Sequence, residues 1–319
     1  MKIKFNFVIF VYVLMLLSAT LFAQEELVKG YYDRTNDWFV FEYASPEYGQ
    51  RTVIYDAPNK VDPTVNSYVT WDAMANEYLY QFRVSNGVKA KQVLREMVIK
   101  FSASIHSQGM PNKNWYMSEY RAGRTDTWKW AKTRGETAGI QSGSSESGFS
   151  FKSKGLPAIV DAFFWGDKRK RFSGPSPTYD TDDIHESFDK VFEKLESEHP
   201  ETKKTVTRKT VGPKDAPAEF KPVDFLNNVV NMKHEAVSLG WIKNKGIEQS
   251  LDAKLENAKK KIADGSPGAA KNILNAFINE VEAQSCASYE NCPPGKHLTS
   301  EAYALLKYNA QYLIDNLTK

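Results

Sequence analysis

The sequence predicts a multidomain chain, an antiparallel β-sandwich followed by a small all-α four-helix bundle. Three observations carry this expectation. Apolar residues alternate with a period of two through the first half, the period becomes 3.6 from Val223 onward, and the stretch between is nearly empty of apolar side chains. The implied layout is a signal peptide over 1–23, a sandwich-like domain over 24–180, an amphipathic helix over 181–199, a linker over 200–222 and a helical module over 223–319.

The N-terminal segment has the order of a secretory signal. Lys2 and Lys4 precede the apolar run 7–17, small Ser18, Ala19 and Thr20 follow, and Ala23 stands before Gln24-Glu25-Glu26. An uncleaved anchor is the competing reading, because 7–23 is nearly long enough to span a bilayer. Ala23 suits the position before a cut, although Leu21 is larger than the residue usually found there. The expectation is export, ending in the periplasm, at the cell surface or outside the cell, with no membrane contact after cleavage.

In the next region Tyr78, Tyr80, Phe82 and Val84 share one face, while Gln81 and Arg83 point the other way. Met97, Ile99 and Phe101 repeat the pattern, and Ser85-Asn86-Gly87 between them tolerates the positive φ of a tight turn. Further strands are expected over 38–43, 52–55, 67–71, 148–152 and 158–165. Short strands separated by Pro, Gly and Asn clusters read as a sandwich.

Several features here bear on function. Trp115, Tyr116, Tyr120, Trp128 and Trp130 are interleaved with Lys113, Arg121, Arg124, Lys129, Lys132 and Arg134. Flat rings beside donors suit a sugar- or peptide-binding patch. The same rings would equally cap a sandwich core, with Trp128 and Trp130 on one strand face. Gly143-Ser144-Ser145-Glu146-Ser147-Gly148 lacks the Gly-x-Ser-x-Gly spacing of a nucleophile elbow and reads as a loop entering a strand. His106 has no ligating neighbour in sequence and reads as a surface histidine. The basic run 168–171 reads as a solvated hairpin loop. A hydrolase of glycans or peptides would need two converging carboxylates, for which Glu77, Glu96, Glu119 and Asp126 are available.

Asp183 and Glu186 have capping-box spacing, and Ile184, Phe188, Val191, Phe192 and Leu195 then form one apolar stripe through Glu198. Asp180, Asp182 and Asp183 lack the glycine and distal glutamate of a calcium loop. The Lys-, Thr- and Pro-rich 201–221 reads as an extended linker.

Four amphipathic helices follow. Phe225, Leu226, Val229, Val230 and Val237 mark the first, closed by Gly240, and Ile247, Leu251, Leu255, Ala258 and Ile262 the second, closed by Gly265. Ser266-Pro267 opens the third, which carries Ile273, Leu274, Phe277 and Val281. Thr299 caps the fourth, with Leu305, Leu306, Tyr312 and Leu313 on its buried side. Cys286 and Cys292 fall between the third and fourth helices, where an oxidising compartment would join them in a disulfide worth roughly 2 kcal/mol.

The module resembles a known family through Gly246-Ile247, Ser250-Leu251, Lys254-Leu255-Glu256-Asn257-Ala258, Ala276-Phe277-Ile278-Asn279-Glu280-Val281-Glu282-Ala283-Gln284 and Gly295-Lys296-His297-Leu298-Thr299. These strings are similar to the FIMAH-type helical domain appended to secreted bacterial proteins, with 286–294 as an insertion. The resemblance implies a bacterial source and a small all-α accessory domain, and assigns no ligand or catalytic residue. The β-rich region, through Gly148-Phe149-Ser150-Phe151 and Gly155-Leu156-Pro157, resembles uncharacterised exported domains and implies no mechanism.

Composition narrows the classes further. Lys and Arg number 42 against 39 Asp and Glu, a scattered net charge of +3 that speaks against nucleic acid. Two cysteines cannot build a four-cysteine zinc site, and neither a metal nor a cofactor is expected. The leading expectation is an exported, non-enzymatic protein that binds a cell-surface glycan or protein or serves a structural role, with a secreted hydrolase as the alternative.

Overall fold

The computed structural model describes residues 27–57, 59–119, 127–132, 139–167, 169–172, 180–203, 205–286 and 293–317, with the backbone alone at 118–119, 169–172 and 203. The proposed signal segment, Tyr120, Asp126 and Cys292 lie outside them. The described residues fall into two compact units, one from those up to 57 with those between 169 and 203, and one from those between 59 and 167 with those from 205 onward.

The first unit is a sheet covered by a helix. Strands β1 (Val28–Asp33), β2 (Trp38–Ser45), β3 (Gly49–Asp56) and β12 (Arg169–Phe172) form an antiparallel sheet in the order β1-β2-β3-β12. Helix α1 (Asp182–Glu198) lays Ile184, Phe188, Val191 and Leu195 against Val28, Phe39, Phe41, Tyr43 and Val53. The Phe41 and Phe188 rings lie 4.3 Å apart. Gly30 permits the close approach, since a Cβ there would stand 2.4 Å from Val191 Cγ1.

Three expectations are corrected here. The sandwich does not run over 24–180, because its first three strands pair with one another and with β12 and bury their apolar face under α1. The basic run is not a solvated loop; its backbone from Arg169 pairs with Val53–Tyr55 of β3. Asp183 is not a cap either. Thr181 is the N-cap residue and makes no side-chain cap bond, while Asp182 and Asp183 sit in the first turn, where negative charge favours the helix dipole.

The second unit holds the sandwich. One sheet has the order β4-β5-β10-β7, from Pro63–Asp72, Glu77–Asn86, Ser144–Ser153 and Ile105–Gly109. The other has the order β13-β11-β6-β9-β8, from Val206–Lys214, Leu156–Gly166, Leu94–Lys100, Thr127–Lys132 and Trp115–Glu119. Between them lie Tyr80, Phe82, Met97, Ile99, Phe149 and Phe151, each wholly or almost wholly buried. At Gly148 the β10–β5 register slips, and its φ of 105° is one that glycine tolerates.

The expected linker is in part a strand. Residues 206–214 pair with β11 from Leu156↔Lys214 to Phe164↔Val206. The polar-looking Val206-Thr207-Arg208-Lys209-Thr210-Val211 is rich in β-branched residues, and Thr210 and Val211 are fully buried. Threonine counts as polar in a composition test and behaves as a strand former in a sheet.

Helices α2 (Pro222–Ser238), α3 (Lys245–Ala263), α4 (Pro267–Gln284) and α5 (Ser300–Asn316) form the four-helix bundle. Gly240 and Gly265 take φ of 72° and 68° just past their helices, as expected of C-terminal caps. Thr299 Oγ1 accepts from Ala302 N at 3.5 Å. The bundle does not stand apart: it shares one hydrophobic core with the sandwich. Strand β4 ends its sheet, and α5 covers that edge. The Ser67 amide donates to Glu301 Oε1 at 2.8 Å and Tyr308 Oη donates to Val69 O at 3.2 Å. An otherwise open strand edge is thereby satisfied at Ser67 and Val69 by side chains. Asn309 Nδ2 reaches the other sheet, donating to Pro157 O of β11 at 2.8 Å.

Candidate functional site

The expected aromatic patch does not assemble on the surface. Trp130 is fully buried, stacked 5.9 Å from Phe151, and donates through Nε1 to Gly109 O at 3.1 Å. Trp115 is buried as well, edge-on to Phe149 at 4.8 Å, and its indole N–H donates to Glu146. Trp128 is partly buried against the same core. Of the five residues, Tyr116 is exposed and Tyr120 lies outside the described residues. Large flat rings gain more from the gap between two sheets than from solvent, so alternation placed Trp115 and Trp130 inward.

Two of the cations beside these rings, Lys132 and Lys129, are engaged too. Lys132 is nearly buried, 5.2 Å from the Trp115 ring centroid and 3.7 Å from Glu146 Oε1. Lys129 pairs with Glu96 at 3.0 Å.

The two candidate hydrolytic carboxylates whose side chains are described, Glu77 and Glu96, lie on different sheets. Glu77 on β5 receives Lys152 Nζ at 2.9 Å and His106 Nε2 at 2.7 Å. Lys152 is the chief reason its carboxyl titrates below the usual glutamate range. Glu96 lies on the other sheet with Lys129. The Glu119 side chain and Asp126 lie outside the described residues. Ser144–Ser153 is strand β10, so the serine-rich segment enters the sheet directly, one turn earlier than expected. Among the described residues no cluster of His, Cys, Asp or Glu has the arrangement of a metal site. No described helix is long and apolar enough to cross a membrane. Cys286 follows α4, with its amide donating to Leu298 O at 3.1 Å.

A different place has the form of a binding site. Where the start of β11 meets α2 and α5 there is a cleft of about 330 Å³, at the small end of the range for ligand pockets. Leu156 and Ile159 come from β11, Phe225 and Met232 from α2. Helical spacing sets Phe225, Asn228, Met232 and Glu235 along one side of α2. The β13 end supplies Lys214 and the following loop Asp215. Asn309 supports the cleft from α5, with both amide hydrogens committed to Pro157 O and Leu305 O at 2.8 Å.

Asn309 apart, the polar side chains around this cleft are exposed, whereas three buried or half-buried lysines of the bundle are paired. Lys233 pairs with Asp252 at 2.7 Å, Lys254 with Glu280 at 2.8 Å and Lys307 with Glu282 at 2.7 Å. The side chains of Asn228, Asn231, Glu235, Lys214 and Asp215 make no hydrogen bond or ion pair among the described residues. Sequence reasoning missed the cleft because Lys214, Asp215 and Pro217 come from the stretch read as a linker and the rest from elements far apart in the chain. The one signal available was a pair of exposed asparagines, Asn228 and Asn231, three residues apart on one helix.

No family model matches this chain, and no curated protein matches it. Among solved structures it is similar to one described as "Crystal structure of an uncharacterized protein from Nocardia farcinica reveals an immunoglobulin-like fold". That similarity covers 35% of this chain and 85% of the other, at 15% identity and a TM-score of 0.26.

Proposed function

We propose that this chain is an exported, non-enzymatic binding protein whose ligand sits in the cleft between β11, β13 and α2. The observation that carries the reading is the contrast in side-chain commitment. Trp115, Trp130, Lys132 and Glu77 are engaged within the fold, whereas the amides and charges around an apolar floor at the cleft are left for something else. Small-molecule and peptide sites are built this way, with apolar walls and a few polar groups that orient the ligand. On this reading the FIMAH-like module forms a wall of the site. The Lys2–Ala23 segment directs export, and the Cys286–Cys292 disulfide closes the loop before α5. The ligand is a component of the cell exterior, a glycan or a protein segment.

The test uses the mature chain, residues 24–319, against immobilised glycans, peptidoglycan fragments and peptides, beside an Asn231→Trp variant that fills the cleft from an exposed helix position. Binding lost in the variant, with circular dichroism unchanged, supports the reading. Binding that survives the variant would move the site elsewhere, and turnover of any bound compound would overturn the non-enzymatic assignment. Peptide mapping without reductant checks the disulfide.

A further inference from the structure

Resting on that reading of the cleft, we infer that its ligand is a short extended peptide with aliphatic side chains and a free N-terminal amine. Four observations lead there. The accessible floor is non-aromatic, from Ile159 and Met232, and the single aromatic ring of the lining, Phe225, is like Leu156 only 6% exposed. Phe225 packs 5.7 Å from Phe220 and 5.1 Å from Tyr312, so it offers no free face. Sugar recognition relies on an exposed aromatic platform, and the lining lacks one, which turns the choice from glycan to peptide.

The second observation is the chemistry of the orienting groups. Asn228 and Asn231 each carry a carbonyl acceptor and an NH₂ donor with no partner among the described residues. A neutral group that both donates and accepts complements a peptide unit, which presents one N–H and one C=O. Third, the rim is charge-asymmetric. Lys214 stands against Asp215 and Glu235, two carboxylates to one ammonium, which favours a cationic ligand terminus.

The fourth is size. From Phe225 to Glu235 the helix rises about 15 Å at ~1.5 Å per residue. Three extended residues reach about 10 Å. A tripeptide fits within that wall, and a folded partner does not enter a cleft of about 330 Å³.

The experiment is a calorimetric titration of the mature chain with Ala-Leu-Ala, its N-acetyl form and an oligosaccharide from peptidoglycan. The free tripeptide binds. Asn231→Ala weakens it about fivefold, the equivalent of one net hydrogen bond. N-acetylation weakens it about threefold, as expected for a solvated ion pair, and this penalty disappears in Glu235→Gln. Tripeptide binding unaffected by Asn231→Trp would overturn the inference, because the peptide would then sit elsewhere. Saccharide binding sensitive to Asn231→Trp, with no tripeptide binding, would overturn the peptide class while leaving the cleft as the site. A cleft that takes neither would overturn both.

Discussion

Glu301 Oε1 accepts the Ser67 amide at 2.8 Å, joining the first turn of α5 to the free edge of β4 across 234 residues of chain. Ser67 completes the junction from its own side chain, whose Oγ accepts from Val211 N at 3.3 Å. One glutamate, only 2% exposed, thus answers a buried backbone donor that no neighbouring strand reaches. Replacing it with alanine leaves that donor unpaired, which costs about 1–3 kcal/mol. Glu301→Gln keeps an acceptor oxygen and costs less. Urea unfolding ranks the two variants, and hydrogen exchange at the Ser67 amide speeds up in the alanine form.

Trp130 fills the centre of the sandwich between Phe82, Phe149 and Phe151. Trp130→Ala is expected to lower stability by about 3–5 kcal/mol, the range for a large buried aromatic. Trp115→Phe keeps most of the packing and removes the indole N–H that Glu146 accepts, so its cost is smaller. Chemical denaturation measures both, and ligand affinity at the cleft stays unchanged in whatever fraction remains folded.

Gly148 combines a φ of 105° with a crowded site, since a Cβ there would stand 3.0 Å from Pro111 Cα. Gly148→Ala should therefore destabilise the fold by about 1–3 kcal/mol through backbone strain. Ala at Gly49, also at positive φ but with no atom near the added Cβ, is the milder comparison. Thermal melts of the two variants separate crowding from φ alone.

The Glu77–Lys152 pair gives a pH signature. Chiefly through their mutual hydrogen bond, Glu77 titrates below the usual glutamate range and Lys152 above the usual lysine range. A depressed carboxyl contributes stability above its unfolded pKa and loses it as pH falls through the folded one. The raised ammonium contributes below its unfolded pKa and loses that as pH rises through the folded one. Both contributions are present at neutral pH. The urea midpoint should drop between pH 5 and pH 3 more steeply in the native protein than in Glu77→Gln.

Much of the fold was legible. Alternation at Tyr78–Val84 and Met97–Phe101 marked strands whose inward faces are the observed core, and the shift to a helical period marked the bundle with its glycine caps. What was missed depended on pairing partners. Residues 206–214 look like a linker until β11 lies beside them, and the strands before residue 57 look like part of the sandwich until α1 covers them. The aromatic cluster admitted two readings for a related reason, and the core-capping one holds for Trp115 and Trp130. Ring chemistry is identical in a core and in a binding patch, and only the register of β8 and β9 decides which way Trp115 and Trp130 point. The cleft itself joins residues from 156 to 309, a juxtaposition no local pattern encodes.

The reliance of β4 on α5 also has a consequence for the order of events during synthesis. A ribosome adds about 5–20 residues per second, so Glu301 follows Ser67 by roughly 10–50 s. Once β13 has been made, and until Glu301 follows, a sandwich that has already formed presents a strand edge to every other copy emerging nearby. A chain held unfolded until it is whole, as passage through an export channel would require, never shows that edge. Releasing the chain before Glu301 is made, by a stalled ribosome or a premature stop, would yield a sticky fragment instead of a smaller working protein.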